Sequence, residues 1–255
     1  MSAVLASILE RYTPLAIAVS GGVDSMTLAA FAHRQIGSGV VQMIHAVSPA
    51  VPPAATARVR ARAEQDGWSL TVTGAGEFED RRYRDNPVDR CYFCKSNLYD
   101  RIRGLTDAAI ASGANTDDLG DYRPGLLAAA ERTVVHPYID AGMDKAAVRA
   151  LARELGLDDV AELPAQPCLS SRVETGIAID PDDLAFIDLV ETRLAEYAPG
   201  AAALRCRVTH QGIAVELDGD APSALAPTAR ALCAAHGRVF LGVRPYRRGA
   251  MFVRA

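Results

Sequence analysis

Leu15-Ala16-Ile17-Ala18-Val19 runs directly into Ser20-Gly21-Gly22-Val23-Asp24-Ser25, and the rest of the chain can be laid out from that junction. The continuous apolar run predicts a short strand buried on both faces, as in a parallel sheet. Apolar residues at helical spacing then predict a helix over Asp24–Gln35. A Gly-Gly turn between such elements lies where open α/β sheets bind ligands, beyond the carboxyl ends of their strands. Gly21 and Gly22 let the backbone approach an anion and aim successive N–H groups at it. The helix N-terminus adds partial positive charge, and Ser20 and Ser25 add hydroxyl donors. Asp24 repels an anion unless a cation lies between them, so the pattern favours a magnesium-complexed polyphosphate. The simpler interpretation is a glycine turn with an Asp/Ser helix cap. The agreement of strand, spacing and helix favours the nucleotide site. The segment is neither a Walker A loop, since no Gly-Lys-Ser/Thr follows, nor a G-x-G-x-x-G fingerprint.

Working outward, the pattern predicts strands at Val40–Ala46, Ser69–Thr73, Ala108–Ser112 and Thr133–His136. Between them it predicts helices at Pro52–Gln65, Cys91–Arg103 and Asp144–Leu155, a polar loop over Glu77–Arg90, and an Asp- and Gly-rich loop over Gly113–Gly125. Alternating strands and helices mean an α/β fold, a doubly wound and mostly parallel sheet. Pro164-Ala165-Gln166-Pro167-Cys168 marks a crossover. Beyond it, Asp180-Pro181 starts a helix that runs to about Tyr197, with Asp as cap and Pro at the first position. Strands at Leu204–Thr209 and Ile213–Leu217 flank a turn at Gln211-Gly212, and a helix over Pro222–His236 precedes a strand at Val239–Val243. The expected domains are therefore residues 1–170, carrying the phosphate loop, and a small α+β domain over 171–255 for substrate binding and oligomerisation.

Composition bounds the partners. The chain has 255 residues, 49% hydrophobic and 23% charged, with a formal net charge of −4. That is an ordinary core-forming composition, with no global pull toward nucleic acid or an anionic membrane. No apolar run is long enough for a membrane span. The N-terminus lacks a basic region, and Glu10 and Arg11 interrupt its apolar stretch, so a secretory signal is not expected. The reading is a cytoplasmic protein without nucleic-acid or membrane partners. Of 27 basic residues only Lys95 and Lys145 are lysine, which reads as a coding bias.

Five cysteines in such a chain are thiols, metal ligands or catalytic groups. Cys91 and Cys94 form a C-x-x-C that can share a metal or cluster or form a redox disulfide. No second C-x-x-C exists, which leaves a four-cysteine zinc site incomplete. Cys168 is the best third ligand, and three cysteines can hold a 4Fe-4S cluster with one iron open. Ordinary thiols remain the simpler alternative for Cys91 and Cys94. For Cys168, Arg172 argues against that, because an arginine beside a thiol favours the nucleophilic thiolate. Cys233 reads as a small core residue, and Cys206 as either. Arg205 and Arg207 alternate along one strand and so share a face. They fit a bidentate phosphate site, with Glu216 on the paired strand to bond a ribose hydroxyl or orient an arginine. A solvated strand face is nearly as good an account of them.

Ser20-Gly21-Gly22-Val23-Asp24-Ser25 resembles the pyrophosphate loop of N-type ATP pyrophosphatases, which have a HUP-like fold. Adding Asn86-Pro87 through Lys95, Gly113 through Gly125, Pro167 through Gly176 and Tyr246 through Met251, the chain resembles the LarE family across nearly its whole length. Asn115-Thr116-Asp117-Asp118 with Asp121-Tyr122-Arg123-Pro124-Gly125 is the most specific segment. The resemblance implies an ATP-dependent, AMP-forming sulfur transferase of nickel-pincer nucleotide synthesis. A carboxylate of a pyridinium-3,5-biscarboxylic acid mononucleotide is adenylated, and sulfur displaces AMP to leave a thiocarboxylate. It implies ATP at Ser20, Gly21, Gly22, Asp24, Ser25, Ala46 and Arg123, and catalytic roles for Cys168, Asp24 and Arg172. It tips Arg205, Arg207 and Glu216 toward the substrate phosphate. One branch of the family consumes a single cysteine. Another holds a 4Fe-4S cluster on three, the pattern that Cys91, Cys94 and Cys168 match. The implied cofactors are ATP, Mg²⁺ and that cluster, the sulfide donor is unspecified, and a homo-oligomer is implied.

A tRNA thiolation enzyme with the same loop and an iron–sulfur cluster is the main alternative, but no basic module or interleaved aromatics mark an RNA surface. An amidating ligase needs no cysteine cluster. A non-catalytic ATP-binding module would release no pyrophosphate.

Overall fold

The structure, a computed structural model, describes residues 1–120 and 123–251. Its helices are α1 (Ser2–Arg11), α2 (Val23–Ile36), α3 (Pro53–Asp66), α4 (Arg81–Arg84), α5 (Arg90–Arg103), α6 (Pro124–Glu131), α7 (Pro137–Asp140), α8 (Lys145–Glu154), α9 (Asp158–Ala161), α10 (Pro181–Ala195) and α11 (Leu225–Ala235). Its strands are β1 (Leu15–Ala18), β2 (Val41–Val47), β3 (Leu70–Gly74), β4 (Ala109–Ala111), β5 (Leu204–Thr209), β6 (Gly212–Leu217) and β7 (Phe240–Pro245). Two compact units result: Met1–Asp80 with Asp89–Gln166, and Arg81–Val88 with the described part of Pro167–Ala255.

The first unit is the α/β sheet that the alternation predicts. Its four strands run in the order β3-β2-β1-β4, all parallel. Side chains alternate across it with period two. Leu15, Ile17 and Met43 pack with Leu5, Met26, Phe31 and Val148 in one core, whereas Ala16, Ile44 and Ile110 pack with Tyr99, Ile102 and Ala129 in another. The chain steps from β1 outward to β2 and β3, then returns to place β4 on the other side of β1. The strand order therefore reverses between β1 and β4, which opens a crevice at their carboxyl ends.

One predicted strand is corrected. Thr133–His136 makes a single bridge, Val135 to Ala111, and no strand. Thr133 has a φ of 52° and Pro137 opens α7 immediately afterwards, so extended backbone cannot continue. The loop expected over Gly113–Gly125 contains a 3₁₀ turn at Thr116–Gly120, and α6 begins inside it at Pro124. Asp121 and Tyr122 lie outside the described residues.

In the second unit β5 and β6 are antiparallel and β6 and β7 parallel. Leu204 faces Leu217 and Arg205 faces Glu216, because the turn is His210-Gln211, one residue earlier than expected, and Gly212 already pairs with Thr209 in β6. Asp180 caps α10 by accepting from the Asp182 N–H at 2.8 Å, with Pro181 at the first helical position. Part of the expected polar loop also belongs here. Buried Asn86 donates from Nδ2 to the carbonyls of Glu174 and Ile177 at 2.8 and 2.9 Å. Among the described residues no helix is long and apolar enough to cross a membrane.

Candidate functional site

The Ser20–Ser25 loop sits at the β1/β4 crevice and is closed by its own bonds. The Ser20 N–H donates to Ser25 Oγ at 3.0 Å, the two hydroxyls lie 3.0 Å apart, and Ser25 Oγ donates to the Gly22 carbonyl at 3.2 Å. Gly21 has a φ of 84°, and a Cβ there would lie 2.7 Å from the Ala55 carbonyl oxygen. A left-handed glycine against α3 is thus built into the turn. Arg58 of α3 donates to the Gly21 carbonyl at 2.7 Å. On the other side Gly113 follows β4 so closely that a Cβ would meet Ser25 N at 2.8 Å and Asp24 C at 2.9 Å. The loops after β1 and β4 therefore meet at backbone distance, with α2 starting at their junction.

Asp24 has three separate partners. Asn115 Nδ2 donates to Oδ1 at 3.2 Å, Lys145 Nζ lies 2.5 Å from Oδ2, and the Tyr138 hydroxyl donates to the Asp24 carbonyl at 3.2 Å. Burial, with Asp24 adding to it, pushes the Tyr138 pKa well up and keeps that hydroxyl a donor. Asn115 also receives the Asp117 N–H at 3.1 Å, and its own N–H reaches Asp118 Oδ2 at 3.1 Å. Arg123 pairs with Asp118 at 3.0 Å. Ala46 is half-buried near the end of β2. Its neighbour His45 is fully buried, with Nδ1 2.7 Å from the Val19 carbonyl and Nε2 2.9 Å from Thr56 Oγ1. A carbonyl only accepts, so Nδ1 carries the proton and Nε2 accepts from the hydroxyl. Burial pushes the His45 pKa down against the opposing bond to Val19.

Cys91 and Cys94 lie three apart at the start of α5, on one helical face, and both are half-buried. Cys168 is half-buried in the second unit, at the start of the 3₁₀ turn Leu169–Arg172. A 4Fe-4S cluster ordinarily takes four thiolates, so these three would leave one iron open. Among the described residues no three His, Cys, Asp or Glu side chains are gathered as a metal site. Cys206 and Cys233 are buried, and burial raises both pKa values, Cys206 well above the ordinary thiol range.

In the second unit Arg205 and Arg207 are buried, at 9% and 5% exposure, which sets aside the solvated face. Arg207 grips Glu216 at 2.7 Å, and Arg244 reaches the other oxygen of that carboxylate at 3.0 Å. Arg205 donates to the Leu204 carbonyl at 2.7 Å, and its guanidinium and that of Arg207 lie 5.9 and 5.8 Å from the Tyr246 ring centre. Arg172 is a clamp. It takes Glu191 bidentately at 2.9 Å and donates to the carbonyls of Pro167 and Cys168 at 2.5 and 3.1 Å. Burial alone would lower its pKa, and the hydrogen bonds and charge of Glu191 outweigh that to raise it. Arg205 moves the other way, lowered first by burial and then by Arg172. Arg172, Arg205, Arg207 and Arg244 outnumber the carboxylates Glu191, Glu216 and Asp188 by one, a surplus suited to an anion.

Sequence reasoning did not single out Tyr138 and Arg58 around the loop or Glu191 and Arg244 around the arginines, and it named Tyr246 only as the start of a family-like stretch. Lys145 carried a compositional signal, as one of two lysines. The rest look like ordinary helix and strand residues.

No family model matches the chain. It is 39% identical over 182 residues to an uncharacterised protein of Synechocystis sp., covering 70% of this chain and 67% of that protein. It is 28% identical over 219 residues to the pyridinium-3,5-bisthiocarboxylic acid mononucleotide synthase of Lactiplantibacillus plantarum, covering 84% and 78% of the two. An uncharacterised protein of Methanocaldococcus jannaschii is 31% identical over 124 residues, 47% and 48% of the two chains.

Proposed function

The chain belongs to the LarE family, and from that premise we propose that it is an ATP-dependent sulfur transferase acting on a pyridinium-3,5-biscarboxylic acid mononucleotide. ATP adenylates a substrate carboxylate, pyrophosphate leaves, and a sulfur nucleophile then displaces AMP to give the thiocarboxylate used in nickel-pincer cofactor synthesis. What carries the reading is the Ser20–Ser25 loop at the β1/β4 crevice, pressed against Gly113, in a chain related to a synthase of that product.

In this reading the amides from Gly21 to Ser25 and the start of α2 bind the phosphates. Ser20 and Ser25 hold the turn and donate to it. Ala46 borders the adenine, and Arg123 completes the nucleotide site. Asp24 binds Mg²⁺, which when bound neutralises charge on the leaving pyrophosphate. Activation matters because a free carboxylate is a poor electrophile for sulfur. Arg205 and Arg207 bind the substrate phosphate, with Glu216 fixing Arg207. Arg172 positions the loop that carries Cys168. Cys91, Cys94 and Cys168 hold a 4Fe-4S cluster, which when bound supplies a transferable sulfide. The working form is a homo-oligomer in the cytoplasm.

The test is single-turnover mass spectrometry of anaerobically reconstituted protein with Mg-ATP and the biscarboxylated mononucleotide. A thiocarboxylate with Cys168 intact is the expected result. A product formed while Cys168 becomes dehydroalanine replaces the cluster route by sacrificial chemistry. Recovery of unchanged ATP and mononucleotide overturns the function.

A further inference from the structure

One peptide of the phosphate loop joins two glycines, and an arginine of α3 holds its oxygen. The peptides on either side are anchored within the loop and α2. The Ser20 N–H donates to Ser25 Oγ at 3.0 Å, and the Gly22 carbonyl accepts from the Met26 N–H at 3.1 Å and from Ser25 Oγ at 3.2 Å. The Gly21–Gly22 peptide is held more loosely on its inner side, where the Gly22 N–H reaches Ser20 Oγ at 3.4 Å. On its outer side Arg58 donates from Nη1 to the Gly21 carbonyl at 2.7 Å. Such a bond is charge-assisted and stronger than a neutral one.

Arg58 is placed for this contact. Its neighbour Val59 is buried in the core, and Thr56, two residues earlier, bonds His45 Nε2 at 2.9 Å, so the helix beneath the arginine is fixed. The same helix presses the Ala55 carbonyl against Gly21, where a Cβ would lie 2.7 Å from it. Arg58 is half-buried, and burial pushes its pKa down. Asp159, whose charge opposes that shift, lies 3.5 Å from Arg62 instead. A guanidinium kept here at a desolvation cost, with a main-chain oxygen as its partner, serves backbone geometry.

A trans peptide points its C=O and its N–H in opposite directions. With the Gly21 oxygen drawn toward α3, the Gly22 N–H faces the inside of the loop. A peptide between two glycines has no Cβ on either side to resist rotation. Rotated, it would turn a carbonyl oxygen toward the phosphates and repel them. We propose that Arg58 is a positioning residue that locks the Gly21–Gly22 peptide in its anion-binding orientation. The inference rests on the ATP reading above and adds what holds the loop ready before ATP arrives. Arg58 acts through the peptide and does not touch the phosphates.

The experiment pairs calorimetric titration of the intact protein, with inorganic pyrophosphate and with Mg-ATP, with NMR relaxation dispersion at the Gly22 amide. Only the fraction of loops in the right orientation binds. Arg58→Ala is therefore expected to weaken both ligands about ten- to a hundredfold. It is also expected to bring microsecond-to-millisecond exchange to the Gly22 amide, which the wild type lacks. Arg58→Lys returns a charged donor and is expected to recover most of the affinity and to quiet the exchange. Undiminished pyrophosphate affinity in Arg58→Ala overturns the proposal. So does a loss of affinity with no exchange at Gly22, which marks a guanidinium that contacts the anion itself. Either result leaves the ATP reading standing, whereas wild-type protein that binds neither ligand sinks that reading and the role of Arg58 with it. A thermal melt of each variant verifies that it is folded.

Discussion

A Cβ built on Gly113 would lie 2.8 Å from Ser25 N and 2.9 Å from Asp24 C, main-chain atoms that cannot retreat without opening the phosphate loop. Gly113→Ala is therefore expected to weaken Mg-ATP binding at least tenfold. Overpacking of this kind costs about 1–3 kcal/mol, so the thermal midpoint should fall by about 2–4 °C per kcal/mol. Calorimetry on a variant still folded at room temperature checks it, and undiminished affinity would mean the loops need not meet. A second residue-scale prediction concerns pH. Burial lowers His45 and His136 from the ordinary 6.5, so above that value the folded and unfolded forms are both neutral. As pH falls through it, the unfolded chain takes up the proton first, and stability declines by at most about 1.4 kcal/mol per pH unit for each histidine. Urea midpoints should drop between about pH 7.5 and about pH 5.5, and His45→Gln should flatten the slope. An unchanged slope would remove His45 from the account. At this scale the sequence was legible where chemistry is local. Ser20–Ser25 is contiguous, whereas Lys145 meets Asp24 across 121 positions, a contact only the fold makes.

Among the elements, helix starts were the most readable features because each is set by one or two adjacent residues. Asp180-Pro181 begins α10, as cap and proline chemistry foresaw, and α3 begins at Pro53, one residue inside the expected Pro52–Gln65. Thr133-Val134-Val135 misled because β-branched residues suit a strand, yet the turn at Thr133 and Pro137 leave room for one bridge. α6 was not seen because an Asp- and Gly-rich run hides its start at Pro124. α8 supports a prediction at this level. Asp144→Ala removes the acceptor of the Ala147 N–H and should cost about 1 kcal/mol of stability, read from urea unfolding. An unchanged urea midpoint would remove the Asp144 cap from the account.

For the whole molecule, net charge and local charge point in opposite directions. A chain of formal charge −4 gives no reason to expect anion binding, yet in the second unit the buried Arg172, Arg205 and Arg207, with exposed Arg244, stand against Glu191, Glu216 and Asp188. The alternation of Arg205 and Arg207 was visible in the sequence; Glu191 and Arg244, which come from α10 and β7, were not. Arg205 is the sharpest probe of what this surplus is for. Its pKa is lowered by burial and then by Arg172, so the folded protein holds the charged form less readily than the unfolded chain does. Stability and function trade off where a site keeps a charge that burial disfavours. Arg205→Met should therefore raise the thermal midpoint of the ligand-free protein, by about 2–4 °C for each kcal/mol relieved. The same variant should weaken a pyridinium carboxylate mononucleotide about ten- to a hundredfold and leave Mg-ATP binding alone. Stability and mononucleotide affinity moving in opposite directions is the signature of a phosphate site. If both fall together, Arg205 is a structural residue and the substrate phosphate must be sought elsewhere.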